Sequence, residues 1–263
     1  MYRFTYHQPV SLDDAVQLAS STEDGSYLAG GMTLLPTMKF RLANPSDLID
    51  LGGVEELRGI SEEDGRLRIG AASTHAEVAA SALVADRMSA LAELASRIGD
   101  PAVRNRGTIG GSIANADPAA DYPAALLALD AEVITNRRTI AAADFFTGFF
   151  STALAPGELV TAVRFATPAQ AAYQKAPNPA SRFALVGVFV ARHADGVRVA
   201  VTGAGPCAAR YPAFEAALDA SFTPEAAAGV PVDDAGLTSD LHASAAYRAH
   251  LIGIMAKRAV AAC

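Results

Sequence analysis

Ser26-Tyr27-Leu28-Ala29-Gly30-Gly31-Met32-Thr33 and Thr108-Ile109-Gly110-Gly111-Ser112 decide how this chain is read. Each sets a glycine pair beside hydroxyl side chains, and the first follows Ser26-Tyr27-Leu28, which reads as a strand. Adjacent glycines let a backbone take positive φ and approach a ligand closely, so that successive N–H groups converge on an anion. A single such match is more often a plain tight turn. Two of them, in separate parts of one chain and each with hydroxyl donors, suit a diphosphate. Thr33, Thr108 and Ser112 add hydroxyls, and hydrogen bonds to a charged group contribute about 1.5 to 3 kcal/mol each.

Outward from the first pair, the pattern predicts a strand near residues 3–6, a helix over 12–19 started by Ser11, a strand over 26–29 and a helix entered at Thr33 or Pro36. A strand over 48–51 ends at a third pair, Gly52-Gly53. Glu55 and Glu56 follow it and would repel a phosphate, so that pair reads as a turn. From Gly59 the chain restarts with a hairpin about Asp64-Gly65, then a capping box at Thr74-His75-Ala76-Glu77 and a helix with apolar spacing over 88–98. Beyond the second glycine pair come an Ala/Leu-rich helix and strands over 132–135 and 159–165. A last block starts near Tyr173, with a hairpin about Asp195-Gly196 and a closing helix over 243–260. Three modules result, joined by short connectors.

At 263 residues, 51% hydrophobic and 19% charged, the chain can bury a sizeable core. A net charge of -7 with no Lys/Arg run argues against nucleic acid or an anionic membrane surface as partner. Two cysteines, Cys207 and Cys263, are too few for a disulfide framework or a protein-held iron-sulfur cluster. Residues 1–7 lack an apolar leader, and the apolar stretch over 183–191 falls short of the roughly 20 residues of a membrane span. The expectation is a soluble, cytoplasmic chain.

Neither G-x-G-x-x-G nor G-x-x-x-x-G-K-[ST] occurs, and Gly203-Ala204-Gly205-Pro206 lacks the strand-helix setting of a dinucleotide fingerprint. The five histidines form no metal-binding pair, and no nucleophile elbow is present. No residue is therefore assigned as catalytic or as a metal ligand. Arg104 and Arg106 read as surface arginines. Asp121 either accepts hydrogen bonds from a ribose hydroxyl or flavin N–H, or caps a helix. Lys175 either lends positive charge to a reduced flavin or is a solvated lysine.

The run Ala29-Gly30-Gly31-Met32-Thr33-Leu34-Leu35-Pro36, with Thr108-Ile109-Gly110-Gly111-Ser112-Ile113-Ala114-Asn115-Ala116-Asp117-Pro118-Ala119-Ala120-Asp121, resembles the FAD-binding medium subunit of molybdenum hydroxylases. This is the group of carbon monoxide dehydrogenase, xanthine dehydrogenase and the bacterial N-heterocycle dehydrogenases. The likeness also covers Asp47-Leu48-Ile49-Asp50-Leu51, Ile69-Gly70-Ala71 and, more weakly, Ser239-Asp240-Leu241-His242 with Tyr247-Arg248.

The resemblance implies an α+β chain. Its first two parts, 1–57 and 58–168, would form a two-subdomain FAD-binding fold of the vanillyl-alcohol-oxidase type, and 173–263 a small C-terminal α+β domain. It places the diphosphate on Ala29, Gly30, Gly31, Met32, Thr33 and Leu34, and on Thr108, Gly110, Gly111 and Ser112. Gly99, Val103, Gly107, Ala114 and Asn115 would line the cofactor, Asp121 and Val160 would contact it, and Lys175 would sit by the isoalloxazine. Where some relatives place a tyrosine beside the flavin, this chain has Phe183, which removes a hydroxyl.

The implied assembly adds a large subunit with a molybdenum cofactor and a small subunit with two two-iron two-sulfur clusters, as a heterotrimer or a dimer of heterotrimers. Electrons would pass through FAD to quinone, oxygen or NAD. Two rival readings are a stand-alone FAD-dependent reductase resembling the enolpyruvyl-sugar reductases and an FAD storage or delivery protein.

Overall fold

The structure, a computed structural model, describes residues 1–263. The chain starts with β1 (Thr5–His7), α1 (Leu12–Ser21), β2 (Gly25–Leu28), α2 (Leu34–Lys39) and β3 (Asp47–Asp50), followed by two 3-10 turns, Leu51–Gly53 and Glu55–Leu57. The Ser11 hydroxyl caps α1 by accepting from the Asp14 N–H. Leu12, Ala15, Leu18 and Ala19 share one face of that helix and pack in the cluster that holds Ile49 and Leu51, which seats α1 against the sheet. The sheet is parallel throughout, with β3 between β1 and β2.

The middle of the chain runs through β4 (Ile60–Glu63), β5 (Arg66–Gly70), α3 (His75–Ala80), α4 (Ala82–Ser96), α5 (Pro101–Arg104), α6 (Ile109–Asn115), α7 (Tyr122–Ala128), β6 (Glu132–Thr135), β7 (Thr139–Ala141), α8 (Ala142–Phe145), β8 (Phe146–Gly148), β9 (Ser151–Thr152) and β10 (Val160–Phe165). Its five-stranded antiparallel sheet has the order β4-β5-β10-β6-β7. Asp64 and Gly65 both take positive φ, as a two-residue hairpin loop requires. The capping box closes on both sides: Thr74 accepts from the Glu77 N–H, and the Glu77 carboxylate accepts from the Thr74 N–H. The helix expected over 88–98 starts earlier, at Ala82, because Ser81 caps it; Met88, at φ -161 and ψ 64, marks a kink within it.

The last part comprises β11 (Gln170–Pro177), β12 (Ala184–His193), β13 (Gly196–Thr202), β14 (Ala209–Arg210), α9 (Pro212–Ala220), α10 (Pro224–Ala228) and α11 (Ala245–Ala262). Its antiparallel sheet is covered on both faces, which explains why β12 reads as an unbroken apolar run. Val186, Val188 and Val190 face α11 through Leu251, Ile252 and Met255. Phe189 and Ala191 face the other way, into the core that holds α7. All seven residues of α7 are buried: the helix packs on β12 and β13 of the third sheet, in a core that also holds Val133 and Val163 of the second. Full burial of a side chain such as Phe145, Phe165 or Phe189 contributes about 1.5–3 kcal/mol. The architecture is α+β, and no helix is long and apolar enough to cross a membrane.

Candidate cofactor site

A cleft of about 560 Å³ opens between the end of β2 and the segments that lead into α3 and α6. This lies in the range of small-molecule sites, roughly 300–1,000 Å³. Residues 29–34 form one wall, His75, Gly107, Thr108, Gly110, Gly111, Ser112, Ala114 and Asn115 the other, and Phe183 reaches it from the loop before β12. The walls meet backbone to backbone. A Cβ on Gly30 would collide with the Arg106 carbonyl oxygen and stand 2.8 Å from the Gly107 Cα.

The two glycine pairs are not equivalent. After β2, none of the backbone N–H groups of Ala29, Gly30, Gly31, Met32, Thr33 and Leu34 donates to another group of the protein. Gly31 turns this segment with φ +72, and the Thr33 hydroxyl makes no capping bond at the start of α2. The second pair instead lies inside the first turn of α6, where Thr108 is the N-cap. There the Gly110 N–H donates to the Ala71 carbonyl at 2.9 Å, Gly111 to Thr108 Oγ1 at 3.1 Å, and Ser112 to the Thr108 carbonyl at 3.0 Å.

The expectation of a second cradle of free amides is therefore corrected: the donors of Gly110, Gly111 and Ser112 are already engaged. What the glycines provide there is close packing. A Cβ on Gly110 would stand 2.6 Å from the Ala71 Cβ, and one on Gly111 would stand 3.5 Å from the Ala29 Cβ.

Asp121 opens α7 but does not cap it, since its side chain makes no capping bond. Its Oδ1 accepts from the Tyr173 hydroxyl at 2.5 Å and from Lys175 Nζ at 2.9 Å. Lys175 also donates to the carbonyls of Arg97 and Arg182, at 2.9 and 3.0 Å, which uses all three protons of an ammonium. Lys175 is thus neither solvated nor on the cleft wall: it stands behind Asp121, which does line the cleft. Burial raises the Asp121 carboxyl above its ordinary range, against the opposing pull of the Lys175 ammonium and the Tyr173 hydroxyl. The loop before Asp121 is clamped from the third sheet as well. The single hydroxyl proton of Thr202 is shared between the carbonyls of Ala120 and Pro118, at 2.6 and 2.9 Å, and the Gly203 N–H donates to Pro118.

Of the other residues singled out by the sequence, Val103, Gly107, Thr108, Ser112, Ala114, Asn115 and Val160 line the cleft, and Gly99 does not. Sequence reasoning missed His75 and Glu158, which also line it. Glu158 is a wall rather than a free acceptor: Thr135, Arg138 and the Ala155 N–H take its oxygens, and the Arg138 guanidinium holds its carboxyl down to about 2. The apolar remainder comes from Leu51, Leu57, Ala72, Ile98, Leu154 and Leu159.

Residues 2–168 match the family model of the FAD-binding domain in molybdopterin dehydrogenase. The chain is 38% identical to the carbon monoxide dehydrogenase medium chain of Hydrogenophaga pseudoflava, covering 98% of this chain and 96% of that one. It is 37% identical to the nicotine 6-hydroxylase medium subunit of Paenarthrobacter nicotinovorans, over 97% and 95% of the two chains. Among solved structures, carbon monoxide dehydrogenase from Hydrogenophaga pseudoflava superposes with a TM-score of 0.91 at 39% identity, covering 99% of this chain and 97% of that one. Quinoline 2-oxidoreductase from Pseudomonas putida 86 gives 0.90 at 30% identity, over 99% and 96%.

Proposed function

The chain belongs to the FAD-binding subunits of the molybdenum hydroxylases, and from that membership we propose that it is the electron-transfer subunit of a heterotrimeric molybdenum-dependent hydroxylase or dehydrogenase. Bound FAD supplies the redox chemistry, linking iron-sulfur centres of a small subunit, fed from a molybdenum cofactor in a large subunit, to an external acceptor. The observation that carries this reading is the row of unengaged amides over residues 29–34, facing a glycine-lined helix start across one cleft.

In this reading the amides of Ala29, Gly30, Gly31, Met32, Thr33 and Leu34 hold the diphosphate, helped by the hydroxyls of Thr33, Thr108 and Ser112. Gly111 lets it lie close against α6, and Gly110 lets α6 pack on Ala71. Asp121 accepts a hydrogen bond from the flavin or ribose, and Lys175 acts through Asp121 rather than by contact. Val103, Gly107, Ala114, Asn115 and Val160 wall the cofactor, with apolar neighbours that exclude water. The three larger sheets suit three domains over 1–57, 58–168 and 173–263. A cytoplasmic location and a dimer of heterotrimers belong to the same reading.

Relatives named as medium subunits match this chain over nearly its full length, which favours a subunit over a stand-alone reductase or a storage protein. Co-expression with the neighbouring reading frames tests the proposal. It should yield a yellow complex with one larger and one smaller partner, and a monodisperse monomer would contradict it.

A further inference from the structure

His75 stands at the first turn of α3, in the cleft, and is almost wholly buried. Its ring nitrogens differ in setting. Nδ1 is sealed in the interior without a hydrogen-bond partner, on a ring that packs against Tyr122 at 5.4 Å between centroids. Nε2 also has no partner in the protein but is not sealed. It lies over Gly107, where a Cβ would come within 2.6 Å of it. Glycine at that position therefore makes room for the imidazole edge.

The surroundings fix the proton. Burial, and then the charge of Arg104, hold the imidazole down to about 4, so it carries a single N–H at neutral pH. A proton on Nδ1 would be an orphaned donor in a sealed interior, whereas a bare lone pair there costs less. The tautomer is therefore Nε2–H, with the donor on the cleft side. Gly107, beneath it, packs against Gly30, whose own N–H is unengaged.

We propose that His75 is a further cofactor-contacting residue, donating its Nε2–H to a diphosphate oxygen of the bound dinucleotide where it passes Gly107. The proposal rests on the cofactor reading above and adds a side-chain donor to a cradle otherwise made of amides and hydroxyls. Unlike a lysine, this donor brings no net charge to the site.

The test titrates the full chain, stripped of flavin, with FAD. Wild type is compared with His75→Phe, which keeps a ring but loses the donor, and His75→Gln, which keeps an N–H of similar reach. His75→Phe should bind roughly 10- to 100-fold more weakly, the loss of one hydrogen bond to a charged group, and His75→Gln should recover most of the affinity. Equal affinity of His75→Phe and wild type would overturn the proposal while leaving the cofactor reading intact. Failure of folded wild type to bind FAD would overturn both. If His75→Phe does not fold, nitrogen-15 histidine spectra of wild type decide. An Nε2–H tautomer whose signal shifts on FAD addition supports the assignment, and an Nδ1–H tautomer or an unmoved signal refutes it.

Discussion

Lys175 Nζ lies 2.9 Å from Asp121 Oδ1, with both side chains all but closed to solvent. The pair joins β11 of the third sheet to the loop that forms the cleft wall. Breaking a buried ion pair from one side strands the other charge, which costs about 3–5 kcal/mol. Lys175→Met should therefore lower stability by that order in urea unfolding. Adding Asp121→Asn to Lys175→Met should restore part of the loss, because the stranded carboxylate is gone. Additive losses in the double variant would mean that the two side chains act independently.

Gly30 is a close crossing between the first and second parts of the chain. In Gly30→Ala the new methyl would strike the Arg106 carbonyl and the Gly107 backbone, neither of which can rotate away. The two walls must separate, at a cost of about 1–3 kcal/mol or more. Thermal unfolding should show the loss even without flavin. An unchanged melting temperature would show that the walls do not meet there.

His75 gives the fold a pH dependence with a defined sign. The unfolded imidazole takes up a proton near 6.5, while the buried ring resists it down to about 4. Its neutral burial is therefore no burden above 6.5, and stability is lost as pH falls from 6.5 to 4, by up to about 3 kcal/mol. His75→Gln has no such group. Unfolding free energies at pH 7 and pH 4.5 should fall more steeply for wild type than for the variant, both measured without flavin. Parallel slopes would mean that the ring is hydrated and titrates normally.

The glycine pairs, the Thr74 capping box and the Asp64-Gly65 hairpin were legible because each is a local signal, complete within a few residues. The inequality of the two glycine pairs was not. Whether an amide is engaged depends on Ala71 and on Thr108 acting as a cap, and Gly-Gly-Ser alone carries neither fact. The surroundings of Lys175 were not legible, because its partner lies 54 residues away in sequence and an isolated lysine reads as solvated. His75 was passed over because Thr74 and Glu77 already explained that segment as a helix start. The hint available was a glycine at 107, which makes sense only once the ring is seen above it. The strand β11 escaped in part, since Gln170, Ala171 and Ala172 are weak strand formers held there by pairing with β12.

The account stands or falls on FAD binding in the cleft between residues 29–34 and α6. Its most direct test is an equilibrium titration of the purified, folded chain with FAD, run beside Gly111→Asp. That substitution adds a Cβ 3.5 Å from the Ala29 Cβ, where close approach is needed, and brings a carboxylate to the face meant for the diphosphate. Wild type should bind one FAD per chain and the variant should bind none while keeping its far-ultraviolet dichroism. A folded wild type that takes up no flavin, or a variant that binds it equally well, would contradict the assignment.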